Sequence, residues 1–286
     1  MLERKEALVG RAQTGTFGFA DAGGNQVDTP ERAIFPILKK SHFGSDGKVE
    51  FLGSGFFIAY DGWFITAKHV LTDVLDEKGN LIAPITVFQI MGDGSYHYRP
   101  IQKVWLHEES DICVGKCKTG VKPESAPMDQ NFMMHEGTAI LRNAVVSISD
   151  NVMEVGSKIC TYAYPTSIIQ DNTVSLNTGF YEGEVVEYFP QGRGDYTDIA
   201  PCYQTSMHLR GGASGGPVFD MSTGKAFAVN SSSFGSFTDV SFVHTISAAL
   251  DITIGYVVDD VVHIDQEPEH SLPCTLRMFL HQQLVP

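Results

Sequence analysis

The sharpest chemical signal in the sequence is the segment GGASGGP at residues 211–217. At ordinary residue frequencies the pattern Gly-x-Ser-Gly-Gly-Pro arises by chance in about one in a thousand chains of this length. Glycines allow the backbone to turn so that the N–H groups of Gly212 and Ser214 point at one spot. Two such donors stabilise the oxyanion that forms when a serine attacks a carbonyl. The segment therefore predicts a nucleophilic Ser214 with an oxyanion hole, against the simpler alternative of a tight glycine turn.

A serine hydroxyl is a poor nucleophile unless a base takes its proton, and His69 is the candidate base. It follows the run WFITAK at 63–68, where a strand ends and a short helical turn begins, so its imidazole is expected to project from rigid backbone. The imidazole must in turn be oriented by a buried carboxylate. Asp111 is followed directly by the apolar run ICV, which predicts an acid at the head of a buried strand.

The elements that must position these residues are mostly short strands, because runs rich in Val, Ile, Phe and Tyr alternate with Gly, Asp, Asn and Pro turns. Helices are predicted only at Lys68–Leu75 and Thr275–Leu284. The predicted strands are Val49–Tyr60, Trp63–Ala67, Ile85–Ile90, Ile112–Lys116, Ser157–Tyr164, Asn177–Val186, Pro217–Asp220, Lys225–Ser231 and Ser241–Val243. Many short strands at regular spacing indicate an all-β barrel or sandwich.

The chain divides into three parts by composition. Residues 1–30 are Gly-rich and weakly patterned, which predicts a loosely attached arm. Residues 31–260 form the main domain, in which the proline-bearing stretch at about 120–155 is expected to connect two halves, at about 31–135 and 150–260. Residues 261–286 are expected to form a C-terminal extension with a short helix.

Composition bounds the class of protein. The formal charge is -14, from 20 Lys and Arg against 34 Asp and Glu, which disfavours nucleic acid and anionic membranes as partners. Neither a signal peptide nor an apolar run of membrane-spanning length is evident, and the five scattered cysteines favour reduced thiols. We therefore expect a cytoplasmic protein without cofactor. A zinc site at Cys113 and Cys117 is disfavoured, because no second pair follows, and no metal is expected.

Together the segments TAKH at 66–69, DICV at 111–114 and GASGGP at 212–217 resemble, in order, the three catalytic motifs of the trypsin-like (chymotrypsin-fold) serine peptidases. Weaker similarities extend from about residue 48 to 250, including GSGFFI at 53–58 and EGEV at 182–185. The resemblance implies two antiparallel six-stranded β-barrels with the active site between them. It also implies peptide-bond hydrolysis through an acyl-enzyme on Ser214, with His69 as general base and acid and Asp111 orienting it.

Two departures from the secreted members of that family are informative. Val70 stands where they place a cysteine, and Ala213 stands where zymogen-activated members carry an aspartate that pairs with a newly cut N-terminus. Both features resemble the disulfide-free bacterial branch that includes the Htr proteases. The roughly 30 residues after position 255 are too few for the PDZ domain usual in that branch, so we expect a stand-alone protease domain.

The resemblance also indicates the substrate pocket. His208, six residues before the nucleophile, corresponds to the pocket base, with Leu209 beside it and Ser231, Ser232 and Ser233 as walls. No carboxylate is present there to pair with Lys or Arg. A polar or acidic substrate side chain is therefore expected, unless His208 turns away from the pocket.

Three alternatives remain open at this point. The spacing of Gly212, Ser214 and Gly216 also fits the nucleophile elbow of α/β-hydrolases, but that fold needs a helix after the serine, where Pro217-Val218-Phe219 indicates a strand. A phosphate-binding loop would need a Gly-Lys-Ser/Thr segment, which is missing. The remaining alternative is a protease fold that acts as a binding or scaffold module, latent or inactive until a regulatory protein partner binds.

Overall fold

The computed structural model describes residues 19–21, 30–40, 49–91, 93–129, 131–135, 137–141, 143–165, 168–170, 173–194, 199–233, 240–258, 261–264, 267–268 and 270–283. A 3-10 turn at Pro30–Arg32 precedes the main fold, and the helices are α1 (His69–Thr72), α2 (Ile246–Asp251) and α3 (Leu276–Gln283). The strands are β1 (Phe19–Asp21), β2 (Ile34–Lys40), β3 (Val49–Phe57), β4 (Trp63–Thr66), β5 (Ile85–Ile90), β6 (Tyr96–Leu106), β7 (Cys113–Cys117), β8 (Phe132–His135), β9 (Thr138–Leu141), β10 (Ala144–Val146), β11 (Lys158–Ala163), β12 (Ile168–Gln170), β13 (Thr173–Ser175), β14 (Gly179–Phe189), β15 (Cys202–Thr205), β16 (Pro217–Asp220), β17 (Ala226–Ser233), β18 (Ser241–Thr245), β19 (Thr253–Val258), β20 (Val261–His263) and β21 (Leu272–Thr275).

Two closed antiparallel barrels of six strands dominate the fold. The first has the strand order β2-β3-β4-β7-β6-β5, and the second has the order β11-β14-β15-β18-β17-β16. Closure leaves neither barrel with an open sheet edge. The predicted fold, all-β with two six-stranded antiparallel barrels and a short C-terminal helix, is confirmed.

The apolar residues of the first barrel serve two separate cores, because successive side chains of a strand point to opposite faces. On β3, Phe57 packs inside the barrel whereas Phe56 packs outside it. On β4, Phe64 lies inside and Ile65 outside. The outward residues join side chains of the second barrel, such as Tyr162, in one buried cluster. A continuous apolar core therefore holds the two barrels together, and this fixes the relative positions of residues that each contributes to the junction.

The C-terminal elements pack against the first barrel at Trp63. After α2, strands β20, β19 and β21 form a small sheet that leads into α3. On α3, Phe279 lies with its ring centroid 5.1 Å from that of Trp63, which itself stacks on Trp105 at 5.1 Å. Arg277 forms ion pairs with Asp150 and Asp251.

The predicted strands are found, most with bounds shifted by one to three residues, and Ile85–Ile90 and Pro217–Asp220 are found as predicted. Helix α1 is shorter than the predicted Lys68–Leu75, and α3 lies within the predicted Thr275–Leu284. Within the predicted N-terminal arm, β1 pairs with β10, and the rest of residues 1–29 lies outside the described residues. Among the helices of the described chain, none is long and apolar enough to cross a membrane.

Candidate active site

His69 and Asp111 meet at one end of the first barrel. His69 is the first residue of α1, just after β4 ends at Thr66, and Asp111 lies in the loop between β6 and β7. The Nδ1 atom of His69 lies 2.7 Å from Oδ2 of Asp111, and the backbone N–H of His69 donates to Oδ1 at 2.9 Å. Both carboxylate oxygens are thus held by one residue, which orients the imidazole and directs Nε2 away from the aspartate.

The pKa shifts of His69 and Asp111 are those expected when His69 acts as a base and Asp111 stays charged. Burial lowers the pKa of His69, but the hydrogen bond and the negative charge of Asp111 raise it, and the net shift is upward. Burial raises the pKa of Asp111, but hydrogen bonds from His69 and Ser231 and the charge of His69 lower it below its ordinary value. Asp111 therefore stays ionised at neutral pH and stabilises the imidazolium form of His69. The His69 side chain is 49% exposed, which leaves its outer edge open to the cleft.

The hydroxyl of Ser231 completes the surroundings of Asp111. It donates to Oδ2 at 2.5 Å, from strand β17 of the second barrel. The sequence predicted Ser231 as a wall of the substrate pocket and missed this contact, because nothing in the local sequence links positions 111 and 231. The carboxylate is consequently oriented by both barrels.

Lys68 fastens the loop that carries Asp111. Its ammonium group donates to the carbonyl oxygens of His107 at 2.7 Å and Glu108 at 3.0 Å. Its backbone N–H also donates to the Asp111 carbonyl oxygen at 3.2 Å. These three bonds tie the start of α1 to the segment that precedes β7, and they fix the distance between His69 and Asp111.

Ser214 lies on the second barrel, in the turn that leads into β16. Two glycines shape this turn with positive φ angles, +91° at Gly212 and +85° at Gly215. The Ser214 hydroxyl donates to the Ser231 carbonyl oxygen at 3.1 Å. Its carbonyl oxygen accepts from the backbone N–H of Ser54, on β3 of the first barrel, at 2.8 Å. The fold thus brings Ser214, His69 and Asp111 to the junction of the barrels.

The peptide planes around Ser214 direct its N–H outward. The Ala213 carbonyl oxygen accepts from the N–H of Gly216 at 3.1 Å and from Nδ2 of Asn230 at 3.3 Å. Because C=O and N–H of one trans peptide point in opposite directions, the Ser214 N–H faces away from these donors. Within the described part of the chain, neither this N–H nor that of Gly212 is bonded to a protein acceptor. The role of these two N–H groups as oxyanion-hole donors remains a prediction.

The turn has no room for a side chain at Gly215. A Cβ atom there would lie 2.1 Å from the Ser54 carbonyl oxygen and 2.3 Å from Oγ1 of Thr66. We expect Gly215→Ala to lower the free energy of unfolding by about 3 kcal/mol or more, from its positive φ and the backbone clash. Denaturant unfolding checks this. Gly211→Ala is the matched control, since nothing lies within 4 Å of its Cβ position, and an equal loss in both variants would contradict the explanation.

The predicted pocket residues have different surroundings. Leu209 is buried in the core of the second barrel, beside Ala213. His208 is half-buried, and Ser232 is exposed. Nothing is described of the Ser233 side chain. The predicted contacts of these residues with substrate remain predictions.

Two observations outside this site bear on cofactors. The five cysteines are all buried, and none of them forms a disulfide bond. Among the described residues, no group of three or more His, Cys, Asp and Glu side chains is arranged to hold a metal ion.

Comparisons with known proteins agree with the fold. The chain superposes on the crystal structure of Deg5 with a TM-score of 0.52 and 18% identity, covering 86% of this chain and 92% of that one. For the HtrA-type protease AlgW with tripeptide, the TM-score is 0.50 at 15% identity, covering 77% of this chain and 58% of AlgW. A comparison with curated protein sequences finds no significant match.

The sequence itself identifies the family. Residues 53–229 match the profile of the trypsin-like peptidase domain, and this span is more than half of the 286 residues. It contains all three segments on which the resemblance was based. The chain accordingly belongs to the trypsin-like peptidases, and it is a serine protease of that family.

Proposed function

We propose that the protein is an endopeptidase that cleaves polypeptides through an acyl-enzyme on Ser214. The observation that supports this best is the 2.7 Å pair of His69 and Asp111 at the barrel junction, where the Ser214 turn also lies. Nucleophile, base and orienting acid are the three parts that activated-serine chemistry requires. The peptide bound to AlgW, a protein of the same fold, is compatible with a polypeptide substrate.

Acylation follows from these roles. Nε2 of His69 takes the proton of the Ser214 hydroxyl as Oγ attacks the carbonyl carbon of the scissile peptide. The oxyanion of the tetrahedral intermediate accepts hydrogen bonds from the N–H groups of Gly212 and Ser214. As the C–N bond breaks, the imidazolium gives its proton to the leaving nitrogen, and an ester on Ser214 remains.

Deacylation reverses the proton path. His69 takes a proton from a water molecule, which attacks the ester carbonyl, and the second tetrahedral intermediate uses the same two donors. Oγ of Ser214 then leaves with the proton returned by His69, and the carboxylate product dissociates. Asp111 remains ionised throughout and stabilises the imidazolium in both halves.

One observation favours a resting state that precedes this chemistry. The Ser214 hydroxyl donates to the Ser231 carbonyl oxygen, so its proton must turn away from that oxygen before it is donated to Nε2 of His69. A bound substrate or a regulatory partner is able to favour that rotation. This observation supports the second candidate, a protease domain that is latent until something binds.

Labelling with an active-site-directed fluorophosphonate tests the proposal. We expect wild-type protein to gain one adduct, located on Ser214 by peptide mass spectrometry, and to hydrolyse unstructured protein substrates. Labelling without hydrolysis would indicate that substrate access is blocked. A folded protein that is not labelled under any condition, including after addition of peptides, would contradict both the endopeptidase and the latent protease.

We further propose that the primary pocket prefers a polar or acidic side chain, with His208 at its base. His208 carries a hydrogen-bond donor in either protonation state and a positive charge when protonated, whereas a carboxylate would be needed to select Lys or Arg. In a peptide-library profile we expect acidic or amide residues before the cleaved bond, and a flatter profile for His208→Ala. A profile dominated by Lys or Arg would contradict this assignment.

A further inference from the structure

Ser54 connects the two barrels directly behind the proposed oxyanion hole. It lies on β3 of the first barrel, and it is completely buried. Its hydroxyl donates to the Gly212 carbonyl oxygen at 2.9 Å and accepts from the Tyr164 N–H at 3.0 Å. Gly212 and Tyr164 both belong to the second barrel. This hydroxyl plays no part in the reaction steps above, yet both of its bonds cross the junction.

The hydroxyl fixes the peptide unit next to the Gly212 N–H. The Gly212 carbonyl and the Ala213 N–H form one planar unit and point in opposite directions. Ser54 holds the carbonyl end, and the Ala213 N–H donates to the Arg210 carbonyl oxygen at 3.1 Å. With both ends held, this unit cannot rotate independently. The direction of the Gly212 N–H then depends on φ and ψ of Gly212, and its φ of +91° is freely accessible only to glycine.

Ser54 is itself held rigidly. Its backbone N–H donates to the Ser214 carbonyl oxygen at 2.8 Å, and its own carbonyl oxygen accepts from Oγ1 of Thr66 at 2.7 Å. Thr66 precedes His69 by three residues, on the strand that delivers the proposed base. One buried residue thus contacts the segments that carry the nucleophile, the base and the first oxyanion donor.

We propose that Ser54 is a positioning residue, whose hydroxyl orients the Gly212 N–H for the oxyanion and makes that orientation depend on docking of the two barrels. Without the hydroxyl, the Gly212 carbonyl loses the hydrogen bond that holds it, which favours rotation of the glycine turn toward other donors. The inference rests on the proposed function.

The test compares wild type, Ser54→Ala and Thr119→Val. Thr119→Val is the control, because it also removes one hydrogen bond from a partly buried hydroxyl to a carbonyl oxygen. The Thr119 hydroxyl donates to the Asp61 carbonyl oxygen at 3.1 Å, at a turn that carries none of the proposed catalytic residues. We expect Ser54→Ala to lower kcat by about 10- to 100-fold, which does not exceed the effect of removing one oxyanion-hole donor entirely. KM should stay within about twofold of the wild-type value. Thr119→Val is expected to leave both values unchanged. A normal kcat in Ser54→Ala overturns the proposal.

Hydrogen exchange measured by mass spectrometry supplies a readout that needs no turnover. We expect faster exchange across 209–216 in Ser54→Ala and not in Thr119→Val, while Ser241–Thr245 exchanges as in wild type. Unchanged exchange across 209–216 overturns the proposal even where wild type proves inactive and the proposed function fails. Faster exchange with unchanged kcat also overturns it. If Ser54→Ala does not fold, Thr66→Val replaces it in the test, because this variant of nearly the same shape removes the hydrogen bond to the Ser54 carbonyl oxygen. An unchanged kcat in Thr66→Val would then overturn the proposal.

Discussion

Ser214→Ala is expected to lower kcat for peptide hydrolysis by about 10⁶-fold and to abolish fluorophosphonate labelling. The loss is large because every covalent step passes through Oγ of this residue. The Ser231 hydroxyl is close but is committed to Asp111 at 2.5 Å. Active-site titration followed by steady-state kinetics measures the effect.

The fold should survive this substitution. Ser214 is held by its backbone carbonyl, which Ser54 continues to bind, and its hydroxyl makes one hydrogen bond that alanine loses. The matched control is Ser222→Ala, which removes a hydroxyl bonded to Asp220 in a turn of the second barrel and is expected to keep full activity. Residual labelling of Ser214→Ala at the wild-type rate would show that another residue is the nucleophile.

The three candidate catalytic residues could be selected from sequence because each lies in a short segment with its own local signature. A glycine turn, a strand end and the head of an apolar strand are all set by neighbours in sequence. The short apolar segments predicted only an all-β barrel or sandwich, and the two six-stranded barrels were implied by the resemblance to the trypsin-like peptidases. Cys113 illustrates what local sequence does not reveal. Its side chain packs in the core of the first barrel, whereas its spacing from Cys117 had also suggested half of a zinc site.

The positioning residues were inaccessible for a physical reason. Ser231 and Asp111 are 120 positions apart, and Ser54 and Gly212 are 158 apart, so only the closed barrels bring them together. The residues that neighbour a serine in a strand do not indicate which distant residue its hydroxyl bonds. Strand β6 was missed for a different reason: it is polar and exposed on one side, and the proline at position 100 normally argues against a strand. Tertiary pairing with β5 and β7 overrides that local preference.

Asp111→Asn is expected to lower kcat/KM by about 10⁴-fold at neutral pH. The amide has a donor where the carboxylate had only acceptors, so it favours the imidazole tautomer in which Nε2 carries the proton and is no longer a base. In wild type, the backbone N–H of His69 donates to Oδ1 and the hydroxyl of Ser231 donates to Oδ2. Asparagine has an acceptor oxygen at only one of these two positions, so one of the two hydrogen bonds is lost. Asp220→Asn is the matched control, because Asp220 also accepts several hydrogen bonds but caps a turn through Ser222 and Thr223.

The pH profile separates this role from a structural one. In wild type the base must be neutral, so kcat/KM falls as pH drops through the pKa of His69, which Asp111 raises. Asparagine removes the hydrogen bond and the charge that raise the pKa and leaves burial, which lowers it. The acid limb of the residual activity should therefore move to lower pH in Asp111→Asn and stay in place in Asp220→Asn. An acid limb that does not move would mean that the titrating group is not His69 paired with Asp111, even if activity is lost.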